Sequence, residues 1–185
     1  MRLLVVLVVV LLWAFTAPAR ADVGIGAAVG SDDETILIPI RLSSLIIEPY
    51  FGFREIDSEA GLSTSSTDTL EVGVGIFGLS TRGENLSIYY GARLAGISEK
   101  ESYDSNRPNT FPETQSDIDG YRVTPAVGFQ YTISRVMIGA EIGWTYEKTD
   151  LTSVSTSLSS FFPDRFESTS VSQGAHANVV FRFFF

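Results

Sequence analysis

The sequence predicts an all-β fold, an eight-stranded antiparallel up-and-down barrel that crosses a membrane after an amino-terminal signal peptide is cleaved. Three observations predict it. The chain ends on a strand with two unlike faces, the same alternation recurs seven times before it, and the connections between the segments are alternately short and long. Side chains point to opposite faces along a strand. Counting back by twos from Phe185 gives Phe183, Phe181, Val179, Ala177 and Ala175, an unbroken apolar face. The other face carries Phe184, Arg182, Val180, Asn178, His176 and Gly174 and is largely polar. A phenylalanine ladder is an aggregation hazard in water and at home against lipid.

The amino terminus is read first because it sets the compartment. Met1-Arg2 is a short cationic start, residues 3–15 form an apolar run, and Ala19-Arg20-Ala21 is a small-x-small cleavage motif. This three-part order is that of a secretory signal peptide, and the run is shorter than the roughly 20 residues a spanning helix needs. The expectation is cleavage after Ala21 and a single domain over residues 22–185. Removing Arg2 and Arg20 leaves 11 cations against 22 acids, a net charge of −11. That balance argues against nucleic acid as a partner. With no cysteine in the chain, a disulfide scaffold and a thiolate metal site are excluded; no metal or other cofactor is expected.

Strands are predicted at residues 22–30, 35–42, 45–56, 70–79, 86–97, 121–131, 136–147 and 171–185. Each alternates apolar with small or polar residues, as Leu70, Val72, Val74 and Ile76 do against Glu71, Gly73, Gly75 and Phe77. Residues 43–44, 80–85 and 132–135 form short connections, whereas 57–69, 98–120 and 148–170 form long polar ones. Connection 31–34 is short although it belongs with the long set. Short turns at one end and long loops at the other is the layout of a membrane barrel, with both termini on the short-turn side. Phe53, Tyr121, Trp144 and Tyr146 are predicted on the outer rim, and Tyr131, Phe183 and Phe185 on the inner. Pro49 and Pro125 each delete a ladder donor, so each predicts a bulge or local break.

On these features the chain resembles the small eight-stranded outer-membrane barrels of the OmpA, OmpX and opacity-protein superfamily. Val179, Phe181, Phe183 and Phe185 resemble the carboxyl-terminal signal read by the barrel-assembly machinery. The resemblance implies residence in the outer membrane of a Gram-negative-type bacterium, contact with outer-membrane lipid and lipopolysaccharide, a monomeric state and an unknown extracellular ligand.

The inward set contains Arg41, Arg54, Arg93, Arg122 and Arg182 with Glu48, Glu71, Glu141 and Glu147. Charges in a narrow tube are costly unless paired, and an eight-stranded bore is just wide enough for side chains to fill. A salt-bridged plug that fixes register is therefore preferred to a gated ion path. His176, the one histidine, raises a lipid-modifying enzyme as an alternative, with Ser172 and Asn178 near it in sequence. Nothing in the sequence brings a nucleophile within its reach, so no catalytic residue is assigned and the protein is read as not an enzyme. Gly73-Val-Gly75-Ile-Phe-Gly78 spells G-x-G-x-x-G but opens no helix, so its glycines are read as room for interior neighbours such as Arg93. The acidic loop residues are read as solvated charge. Phe161 and Phe162, aromatics in a Ser/Thr-rich loop, are the candidate contact surface. The expected role is structural or adhesive, carried by the outer loops. The alternatives are a small pore, a lipid-modifying enzyme and a soluble lipocalin-like binder with its faces inverted.

Overall fold

The computed structural model describes residues 21–30, 34–60, 63–105, 113–156 and 164–185. The predicted signal peptide, save Ala21, and the candidate contact residues Phe161 and Phe162 lie outside the described residues. Nine strand segments follow in chain order: β1 (Asp22–Gly30), β2 (Glu34–Leu37), β3 (Ile40–Arg41), β4 (Leu45–Ala60), β5 (Ser63–Thr81), β6 (Leu86–Ser105), β7 (Glu113–Ile133), β8 (Val136–Thr156) and β9 (Asp164–Phe184). All pairings are antiparallel, and β1 pairs β9 from Gly24↔Phe184 to Gly30↔Asn178, which closes the ring.

The nine segments fill eight places. Both β2 and β3 lie between β1 and β4, so together they are the second strand of the sequence reading. They are separated at Ile38 and Pro39. Proline has no N–H to donate, and Pro39 faces β1 while Pro49 faces Ile38 across the seam. The carbonyls still work: Gly24 N donates to Pro39 O and Ile38 N to Pro49 O, each at 2.8 Å. Two deleted donors, one on each side of the second strand, thus break it, and Pro39, unremarked in the sequence reading, is one of them. Pro49 leaves the β4–β5 ladder intact at Pro49↔Val74. Pro125 does open a gap, since β7–β8 pairing stops at Val123↔Tyr146 and resumes at Ala126↔Gly143. Beside the break the alternation of exposure also lapses, for Ile40 and Pro49 are both buried.

The three long loops need correction. Strands β5 to β9 run 19 to 21 residues, about twice the 9–11 that cross a bilayer. Most of 57–69, 98–120 and 148–170 is therefore ladder, as in Asp57↔Ser66, Glu101↔Ser116 and Thr152↔Glu167. Their Ser- and Thr-rich sequences are polar on both faces, so the apolar period vanishes while pairing continues. Among the described pairings the extensions involve only β4 to β9, because β1 stops at Gly30 and β2 starts at Glu34.

Away from that break the two faces are those predicted. Outward residues such as Ile25, Ile76, Leu94, Phe129 and Ile142 are exposed, whereas Glu48, Arg93, Glu141 and Arg182 are buried. A soluble lipocalin-like barrel requires the reverse. Phe53, Tyr121 and Trp144 are exposed near one end of the belt, and Tyr131, Phe183 and Phe185 near the other, as interfacial girdles are.

At the tight β7–β8 turn Ser134 has φ 58°, a left-handed conformation that costs an L residue roughly 1–2 kcal/mol and a β-branched one most of all. Ser134→Val is expected to destabilise the barrel by about 1–2 kcal/mol, and Ser134→Gly to leave it unchanged or gain up to about 1 kcal/mol. Urea unfolding in lipid vesicles measures both.

Candidate functional site: the interior charge network

The bore is filled from its walls by long side chains beside short ones. Glu48 on β4 and Arg93 on β6 both pair laterally with Gly75, Glu141 on β8 pairs with Gly128, and Arg182 on β9 pairs with Gly26. The glycines are spacers. A Cβ on Gly75 would lie 2.6 Å from the Phe77 ring and 3.3 Å from Arg93 Cγ, and one on Gly73 would lie 2.5 Å from the Tyr50 ring. The G-x-G-x-x-G letters are thus room for interior side chains.

Four charges join in one buried chain. Arg93 donates to Glu48 at 2.8 Å and also to Glu141, while Arg182 Nε donates to the other Glu48 oxygen at 2.6 Å. Arg182 then reaches Gln130 Oε1 at 2.9 Å. Glu48 is therefore clamped between two arginines, and both carboxylate and guanidinium are almost wholly out of water, at 0 % and 1 % exposure for Glu48 and Arg182. Aromatic faces complete the packing: Arg93 lies 4.7 Å from the Phe77 ring and Arg182 5.0 Å from that of Tyr89. The two rings meet edge to face at 5.5 Å.

Nearer the outer end is a second cluster. Arg122 donates to Glu71 at 2.6 Å and to Glu147 at 2.9 Å, and Tyr50 donates its hydroxyl to Glu71 at 3.1 Å. Between the clusters is a cavity of about 60 Å³, lined in part by Tyr50, Arg93, Arg122, His176 and Asn178. A space of that size holds water-sized molecules. Two inward residues lie elsewhere. Arg41 pairs with Asp22 at the short-turn rim, with Nε 3.2 Å from the carboxylate, and Arg54 is exposed toward the outer end.

Sequence reasoning missed Tyr50, Tyr89 and Gln130, all at inward positions, because it followed charge alone. It also missed Asp22, which stands opposite Arg41 in the register. His176 is buried, with Nδ1 3.4 Å from Thr145 Oγ1 and Nε2 3.5 Å from Glu141 Oε1. Both separations exceed the roughly 2.6–3.2 Å expected of a nucleophile–base pair. Ser172 is exposed and pairs with Glu147 across β8.

The geometry decides the class: an antiparallel closed ring, an apolar belt outside and paired charges inside. The fold is that of a small outer-membrane β-barrel. A major outer membrane protein from Thermus thermophilus has a similar structure, with a TM-score of 0.64 at 10% identity, over 90% of this chain and 100% of that one. CarO of Acinetobacter baumannii aligns over 89% of this chain and 98% of its own at 13% identity, with a TM-score of 0.43. No family model and no curated protein matches the sequence.

Removing one partner of a buried ion pair strands the other charge and costs about 3–5 kcal/mol. Arg93→Met, which leaves Glu48 and Glu141 without that partner, is expected to destabilise the barrel by about that amount. Arg41→Ala, at a half-exposed rim pair, is expected to cost about 0–1 kcal/mol. Equal effects in equilibrium unfolding would contradict the clamp.

Proposed function

We propose that this integral outer-membrane barrel is a sealed anchor whose working surface is the wall of polar strands standing beyond the membrane, and that its role is surface interaction. One observation carries the reading: β4 to β9 continue as hydrogen-bonded strands well past the length needed to cross. A chain needing only an anchor gains nothing from such extensions. They also display Ile56, Tyr103, Val154, Phe166 and Val171 as exposed apolar side chains among serines, threonines and charges. Scattered apolar groups on a rigid polar wall suit protein recognition, where aromatic anchors contribute most of the energy. The wall is low over β1 and β2, which gives the outer end a notched shape with strand edges at β4 and β9.

The sealed bore supports the same reading over the pore alternative. Glu48, Arg93, Glu141 and Arg182 meet across it, and separating them for an ion would expose buried charges. The barrel is expected to give no unitary conductance steps in a planar bilayer; regular steps would favour the pore. Deleting residues 153–168 is expected to abolish adhesion of expressing cells to protein-coated surfaces while circular dichroism keeps its β signature. Unchanged adhesion would overturn the surface-interaction reading.

A further inference from the structure

The gap that Pro125 opens has an outer side. Thr124 and Pro125 stand opposite Trp144 and Thr145 without ladder pairing. Outside this gap the lipid-facing belt dips into a shallow, open groove, with Pro125, Gly143, Ala175 and Ala177 among its lining and the rings of Tyr90 and Trp144 beside them. Among the described residues no Asp, Glu, Lys or Arg lines it. The small residues make the hollow, because at neighbouring outward positions Phe129, Tyr131 and Ile138 stand out from the wall.

The wall is thin here. A Cβ on Gly143 would collide with the His176 ring, and His176 lines both this groove and the interior cavity. Among the described residues its Nε2 is approached only by Glu141 Oε1 at 3.5 Å, although the side chain is only 4 % exposed.

We propose that this groove binds one acyl chain of a bilayer lipid, held against the barrel wall beside Tyr90 and Trp144. Three features select that occupant. The groove is continuous with the lipid-facing belt through the exposed Val127 and Ile142, so hydrocarbon is the medium at its mouth. Its lining offers apolar area without a charge to pair, and a flexible chain follows a curved hollow. A second copy with its two-fold axis through the groove would present the same hollow, and a concave patch does not fill itself. The site rests on the membrane placement of the barrel and is independent of the surface-interaction role.

The test uses the full chain in dioleoylphosphatidylcholine vesicles, extracted into detergent for native mass spectrometry. Wild type is expected to carry one lipid. Ala177→Phe, from an exposed position on the lipid side, fills the groove; excluding two buried methylenes already costs roughly ten-fold in affinity, so the lipid-bound fraction should collapse. Ala140→Phe, on the same outer face but outside the groove, should keep it. A lipid-free wild type, a broad series of adducts unchanged by Ala177→Phe, or a lipid-free dimer would each overturn the proposal. Should Ala177→Phe not fold, Ala175→Phe fills the same hollow. A second readout leaves the groove untouched. With residues 1–21 removed Trp144 is the only tryptophan, and a brominated phosphatidylcholine in the vesicles should quench it saturably at low mole fraction. Quenching that merely follows the bulk fraction would also overturn it.

Discussion

Glu48 sits where the barrel can least tolerate an unpaired charge, and two arginines hold it. Arg93 arrives from β6 and Arg182 from β9, so a single carboxylate ties together strands on different sides of the ring. A one-residue slip in any of them would turn a charge outward into lipid and an apolar side chain inward. Lipid penalises the first of these by roughly 2–4 kcal/mol near the bilayer midplane. The clamp and the belt therefore specify one register jointly, and neither does so alone. The spacers follow from the same constraint, because Gly26, Gly75 and Gly128 stand beside the long side chains and leave them room.

Proline marks where the wall departs from a regular ladder, with different results at two places. At Pro39 and Pro49 a donor is missing on each side of the second strand and the strand is split, but the carbonyls still accept from Gly24 and Ile38, and the ring stays closed. At Pro125 the missing donor leaves a gap between β7 and β8, flanked by Gly143 and the small outward residues of β9. The first place is sealed by packing, with Pro39, Ile40 and Pro49 buried. The second is hollow on its lipid side.

The spanning part of the fold was legible in the sequence because lipid imposes a strict apolar period on it. Outside the membrane that pressure ends. In stretches such as Thr149-Asp-Leu-Thr-Ser-Val154 both faces meet water, so alternation is lost although pairing with β9 continues to Ser155↔Asp164; such segments read as loops. The charges of the network were legible from their inward positions, although Arg41 and Arg54, read with them, lie at the rim and toward the outer end. Their partners were not, because Glu48 and Arg182 are 134 residues apart and meet across the bore rather than along a ladder. Tyr89 and Gln130 escaped notice for a related reason, since their role in the network depends on that same cross-bore meeting.

The central claim is the facing of β9, apolar to lipid and polar to the bore. It is tested most directly by single nitroxide labels along that strand, which is straightforward in a chain with no native cysteine. Labels at positions 179, 181 and 183 in lipid vesicles should be highly accessible to dissolved oxygen, and labels at 174, 178 and 180 should not. Accessibility that does not alternate, or alternates in the opposite phase, would contradict the account.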